Sequence, residues 1–138
     1  MFENTNLYDC SNLNFGITYI QRSIRNFEGM FKNCSFMKSC PKILPSTTLT
    51  ESCYAAMFFG CAGLTTVPSN LLPATTLTGS CYSNMFSGCT GLTTVPNLPA
   101  TTLAASCYYN MFSGCTGLTT LPKLPATTLA SSCYESMF

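Results

Sequence analysis

Apolar residues recur along this chain at a spacing of four, give way to a short apolar–threonine–apolar run, and then the cycle starts again. Leu103, Cys107, Met111 and Cys115 are four apart, with Tyr108 and Phe112 alongside. At 3.6 residues per turn such positions share one helical face. The spacing predicts a helix of about eleven residues near 103–113, with Thr101 or Thr102 as its N-cap and Gly114 as its left-handed stop. Leu118-Thr119-Thr120-Leu121-Pro122 follows, apolar at its ends and β-branched between. It predicts one short strand, limited in length by Pro122.

The cycle is an internal repeat. CYAAMFFGCAGLTTVP begins at Cys53, CYSNMFSGCTGLTTVP at Cys81 and CYYNMFSGCTGLTTLP at Cys107, and CYESMF at Cys133 is the start of another. LPATTL lies between the blocks, at Leu72–Leu77, Leu98–Leu103 and Leu124–Leu129. A degenerate copy precedes them, with Met30-Phe31 and Cys34 in the places of Met57-Phe58 and Cys61. Successive Met spacings are 27, 28, 26 and 26. The extra residues fall between one Pro and the next Leu-Pro, which marks a surface loop on one edge. Met1-Phe2-Glu3-Asn4 resembles a weaker copy still. The division that follows is an irregular N-terminal cap over 1–26, itself a candidate degenerate repeat, and a repeat array over 27–138.

No single repeat can bury its own Leu, Met, Phe and Cys, so the repeats are expected to stack. The pattern C-Y-x-x-M-F-x-G-C-x-x-L-T-T-V-P resembles the BspA-like leucine-rich repeats of bacterial surface proteins over residues 27–138. Cys53, Cys81, Cys107 and Cys133 depart from that pattern, standing where Ile or Leu is the rule. The expected fold is an α/β solenoid, leucine-rich-repeat-like, with one short parallel strand and one short helix per repeat of about 26 residues. The resemblance implies binding rather than chemistry, at a cell surface or outside the cell. No signal peptide is visible in the opening MFENTNLYDC.

Composition narrows the function. Of 138 residues, six are Lys or Arg, five are Asp or Glu, and none is His, for a net charge of +1. Without His, Ser-His-Asp and Cys-His catalysis are excluded and so are His metal sites. The near-neutral charge argues against nucleic acid. No apolar run approaches the ~20 residues of a membrane span. Between Glu51 and Lys123 there is no charged residue, while the chain holds 20 Thr and 15 Ser. Such a surface has little electrostatic defence against self-association. Glu51 is the sole carboxylate between Glu28 and Glu135, so no acid–base pair can be proposed and no catalytic residue is assigned. No cofactor is implied.

Ten cysteines leave three readings open: buried free thiols, bridges between neighbouring repeats, or a metal site. Eight of them fall on two repeat positions, so they should form columns. Cys81 and Cys89 would lie about 12 Å apart along a helix, too far to bridge. Cys40 stands where other repeats carry Val67, Val95 and Leu121, which makes Cys an exchangeable small apolar filler. No C-x-x-C spacing supports metal.

The candidate contact surface is the strand face with its loops. Adjacent threonines of a strand point to opposite sides, so one Thr column is expected outward: Thr66, Thr94 and Thr120. Asn70, Asn97 and Lys123 sit in the loops beside it. Arg22, Arg25, Lys32, Lys38 and Lys42 form a candidate basic patch, or a solvated region that keeps the array soluble. Tyr54, Tyr82, Tyr108 and Tyr134 are expected half-buried between coils. The function expected is a non-catalytic binding or adhesion module for a protein or glycan. The alternative is a structural, self-assembling component, such as part of a phage or surface appendage. The truncated copy at Cys133–Phe138 supplies no cap, so that end is expected to pack on a second copy, a tail or a following domain, most simply in a dimer burying Met137 and Phe138.

Overall fold

A computed structural model describes residues 2–13, 15, 27–45 and 47–138. The predicted helix and strand are both absent. No described residue lies in an α-helix, and extended pairing is confined to isolated single-residue bridges, so the chain is not an α/β solenoid of the leucine-rich-repeat kind. Each repeat is instead a ribbon of consecutive tight turns, at 27–33, 51–60, 79–88, 105–114 and 131–136.

The backbone of 52–61 explains why a spacing of four does not give a helix here. The N–H groups of Cys53, Ala55, Met57, Phe59 and Cys61 donate to the carbonyl three residues back, at 3.0–3.3 Å. Those of Ser52, Tyr54, Ala56, Phe58 and Gly60 donate outward, to Gly79, Cys81, Ser83, Met85 and Ser87 of the next repeat, at 2.8–3.1 Å. Half of the donors therefore close turns and half form a ladder. An α-helix would use all of them internally, four residues back. Every fourth residue has a positive φ: Ser52 (55°), Ala56 (53°) and Gly60 (70°). Each is the third residue of a turn, where a type II turn requires that sign. The next repeat places Ser80, Asn84 and Gly88 there, and the one after it Ser106, Asn110 and Gly114. Two left-handed residues inside 103–113 are incompatible with the predicted helix.

The same positions turn inward all the same. Cys53, Tyr54, Met57, Phe58 and Cys61 are fully buried, as are Cys81, Met85, Phe86 and Cys89. A turn closing every four residues brings the same side chains to one side as a helical face would. Their rings form two columns. Phe2, Phe31, Phe58, Phe86, Phe112 and Phe138 stack with centroids 5.5–5.8 Å apart. Phe27, Tyr54, Tyr82, Tyr108 and Tyr134 stack at 5.5–6.0 Å. Each such pair contributes about 0.5–1.5 kcal/mol beyond its buried area. The tyrosines of the three central repeats are buried outright rather than half-buried. The Tyr82 and Tyr134 hydroxyls have no hydrogen-bond partner among the described residues, so their places in the column rest on their rings.

All ten cysteines are free and buried. The Cys34, Cys61, Cys89 and Cys115 thiols donate to the carbonyls of Phe2, Phe31, Phe58 and Phe86 in the preceding coil, at 2.9–3.1 Å. A small apolar side chain with one weak donor suits that spot. Burial pushes the Cys10, Cys40, Cys61 and Cys81 thiols up to about 12.

Glycine sets how closely the coils approach. A Cβ on Gly63, Gly91 or Gly117 would lie 2.5–2.7 Å from a carbonyl oxygen of the coil before: Ser35, Ala62 or Thr90 respectively. Phe2 and Asn4 continue the ladder at the N-terminal side, donating to Met30 and Lys32 at 2.8 Å, and Asn4 has φ 58°.

Candidate binding surface

The predicted strand at 118–122 forms no bridge. Parallel bridges fall on the other threonine segment, joining Thr48 to Thr76, Thr76 to Thr102 and Thr102 to Thr128. Thr102 is thus a bridge residue and not a helix cap. Proline limits the pairing on its N-terminal side, because Pro73, Pro99 and Pro125, three residues before Thr76, Thr102 and Thr128, carry no N–H donor. Asp9 and Ser39 bridge in the same parallel sense.

The orientation expected for paired threonines also changes. Thr65 and Thr66 are both exposed, as are Thr93 and Thr94, and Thr119 and Thr120. Side chains alternate faces only in a regular strand, and this segment is not one. Two adjacent columns therefore face solvent where one was predicted. They are held in register: the Thr93 N–H and hydroxyl both donate to the Thr65 carbonyl at 2.9 Å, and the Thr119 hydroxyl to the Thr93 carbonyl at 3.3 Å. The Val67 N–H donates to the Thr94 hydroxyl at 3.4 Å. With their hydroxyls tied down at these points, the methyl groups contribute to the outer surface.

The loop residues join this face. Asn70, Asn97 and Lys123 are exposed, and the Asn97 N–H donates to the Ser69 carbonyl at 2.8 Å. In the degenerate repeat Lys38-Ser39 occupy the places of Thr65-Thr66, so the threonine face runs into a lysine. There Ser11, Lys38, Ser39, Lys42, Thr66 and Pro68 line a groove of about 350 Å³. Asp9 lies beside it, accepting from the Ser39 hydroxyl and from the Ser11 N–H, bonds that hold its carboxyl below the ordinary carboxylate range.

The predicted basic patch separates on inspection. Lys38 and Lys42 meet in that groove. Lys32 lies elsewhere, 3.9 Å from the Glu3 carboxylate and 5.6 Å above the Phe59 ring. Arg22 and Arg25 lie outside the described residues, as does most of the 1–26 segment expected as a cap. The face contains threonines that sequence reasoning passed over. Thr65, Thr93 and Thr119 belong to it, and Thr48, Thr76, Thr102 and Thr128 make a further exposed, bridged column. Their signal was the recurrence of a second Thr-Thr pair, in LPATTL, in every repeat.

Among the described residues no helix is long and apolar enough to cross a membrane. No family model, no curated protein and no solved structure matches this chain.

Proposed function

We propose that this protein is a non-catalytic binding module whose threonine face takes an extended glycan chain. The observation that supports the reading is the exposed, uncharged and register-locked pair of columns formed by Thr65/Thr66, Thr93/Thr94 and Thr119/Thr120. Fixed hydroxyls and methyls at a constant coil spacing suit a ligand that itself repeats. They bind without the ordering cost a flexible surface would add. The Lys38 and Lys42 groove at one end of the face suits an acidic substituent on that chain.

Titration calorimetry against neutral and acidic oligosaccharides tests this. Thr66→Val together with Thr120→Val should weaken binding at least tenfold while the thermal melt is unchanged. Lys42→Ala should weaken acidic ligands alone and flatten their salt dependence. Wild-type protein that binds no oligosaccharide, or binds a protein ligand through another face, defeats the reading.

A further inference from the structure

The threonine face is uniform where the repeat is regular, and a uniform face does not fix the position of a repeating ligand. A chain shifted by one coil along Thr65/Thr66, Thr93/Thr94 and Thr119/Thr120 meets the same groups again. Registers with equal contacts have equal affinity, so placing a ligand takes a position whose chemistry differs.

The two coils ahead of Thr65 supply one. The Lys38 N–H donates to the Tyr8 carbonyl at 2.8 Å, as the Thr93 N–H donates to the Thr65 carbonyl, so Tyr8 and Lys38 continue the Thr65 column. Asp9 bridges to Ser39 in the parallel sense and continues the Thr66 column. Thr65 and Thr93 have coils on both sides and are still exposed, which makes this an outward-facing position in any coil. Tyr8 is 64% exposed there.

Three features set this place apart from the threonines. Tyr8 presents an apolar ring with a polar tip. Lys38 and Lys42 are exposed, line the groove of about 350 Å³, and pair with no carboxylate among the described residues. Asp9 receives the Ser11 N–H and the Ser39 hydroxyl on the same oxygen, Oδ1, and keeps acceptor capacity on Oδ2. Two ammonium groups against one carboxylate leave the groove net positive. A neutral sugar would leave the ammonium groups unmatched. A bare inorganic anion would leave the ring and the acceptor unused. An anionic sugar engages all three.

We propose that Tyr8, Asp9, Lys38 and Lys42 form a subsite for one anionic sugar unit, which sets the register of the glycan on the threonine face. Lys38 and Lys42 hold the acidic group. Asp9 accepts a hydrogen bond from a ring hydroxyl. The Tyr8 ring packs on the C–H face of the sugar. The inference rests on the glycan reading and adds to it the class of sugar and the place that holds it.

Amide chemical-shift mapping of the whole chain tests the subsite, with methyl glucuronide, a glucose sulfate, methyl glucoside and inorganic sulfate as probes. An anionic sugar should move the amides of 8–11 and 38–42 and bind at least tenfold tighter than the glucoside and than inorganic sulfate. Whether the glucuronide or the sugar sulfate is the tighter identifies the acidic group. Tyr8→Ala should weaken the anionic sugars at least threefold with the thermal melt unchanged, and Tyr8→Phe, which keeps the ring, should restore them. Lys38→Gln should remove the preference over the glucoside. Equal affinity for glucuronide, sugar sulfate and glucoside overturns the proposal. So does inorganic sulfate binding as tightly as the anionic sugars with Tyr8→Ala silent, which is a plain anion site. The subsite and the glycan reading fail separately. A neutral oligosaccharide that moves the amides of 65–66 and 93–94, while no anionic sugar moves those of 8–11 or 38–42, overturns the subsite alone. An anionic monosaccharide held at the subsite, with no gain in affinity from further sugar units, supports the subsite and defeats the reading of the threonine face.

Discussion

The repeat around Cys81 and the one around Cys133 are built from nearly the same residues, yet one is core and the other is half surface. Leu77 and Phe86 are buried, while Leu129 and Phe138, at the same repeat positions, are largely exposed. The turn ribbon is common to both, with positive φ at Ser80 and Asn84 and again at Ser132 and Ser136. What differs is the neighbour. A coil here folds with its own short-range turn bonds but is buried only by the coil stacked on it. Local conformation and burial are thus separable in this molecule, as nearest-neighbour repeat energetics require.

The sharpest way to break the comparison is to remove the same ring from both places. Phe86→Ala should cost about 3–5 kcal/mol, the usual loss for a buried Phe. Phe138→Ala should cost a small fraction of that, since its ring is stacked on one side only. Urea denaturation of the two variants measures the difference. Equal losses would show that the last coil is not the weak end.

Glycine gives a second, smaller contrast. Gly91→Ala places a methyl 2.5 Å from the Ala62 carbonyl oxygen and should destabilise by about 1–3 kcal/mol. Gly79→Ala meets nothing nearer than 3.8 Å, and its φ is not in the left-handed region. That variant should be neutral or gain about 0.4–1 kcal/mol through the unfolded chain. Thermal melts in parallel would expose a false assignment if Gly91→Ala were silent.

The effect that is smallest at neutral pH comes from the thiols. Buried Cys40, Cys61 and Cys81 ionise only near about 12, raised by burial, whereas an unfolded thiol ionises near about 8.5. Between those values the unfolded state holds fewer protons, so stability falls as pH rises. It should be constant from pH 6 to 8, decline above about pH 8.5 and continue to fall toward 12. Urea midpoints across that range would show it, and a flat profile to pH 10 would mean the thiols are not buried as described. Alkylation at pH 8 should be slow for native protein and complete once it is unfolded.

Several features were legible in the sequence. The repeat boundaries are, because the Met-Phe and Thr-Thr blocks recur in register. The buried set is too, since Cys107, Met111, Phe112 and Cys115 are apolar at a constant spacing and all lie inside. The element type was misjudged because period four belongs both to a helical face and to a chain of four-residue turns. The distinguishing signal was Ser, Asn and Gly at every fourth place, as at Ser106, Asn110 and Gly114, residues that tolerate positive φ. The doubled threonine face was misjudged for a related reason: alternation was assumed from a strand that prolines do not allow.

The sequence by itself determined the register of this molecule, its apolar inventory and its uncharged hydroxyl-rich surface, because these follow from residue identity and spacing alone. Only the tertiary structure decided that the N–H groups of Ser52, Tyr54, Ala56, Phe58 and Gly60 bond to the next repeat. The physical reason is that a hydrogen-bond donor can be satisfied within its own turn or across to a neighbour. The choice depends on whether a matching carbonyl stands opposite, and that is known only once the coils are stacked.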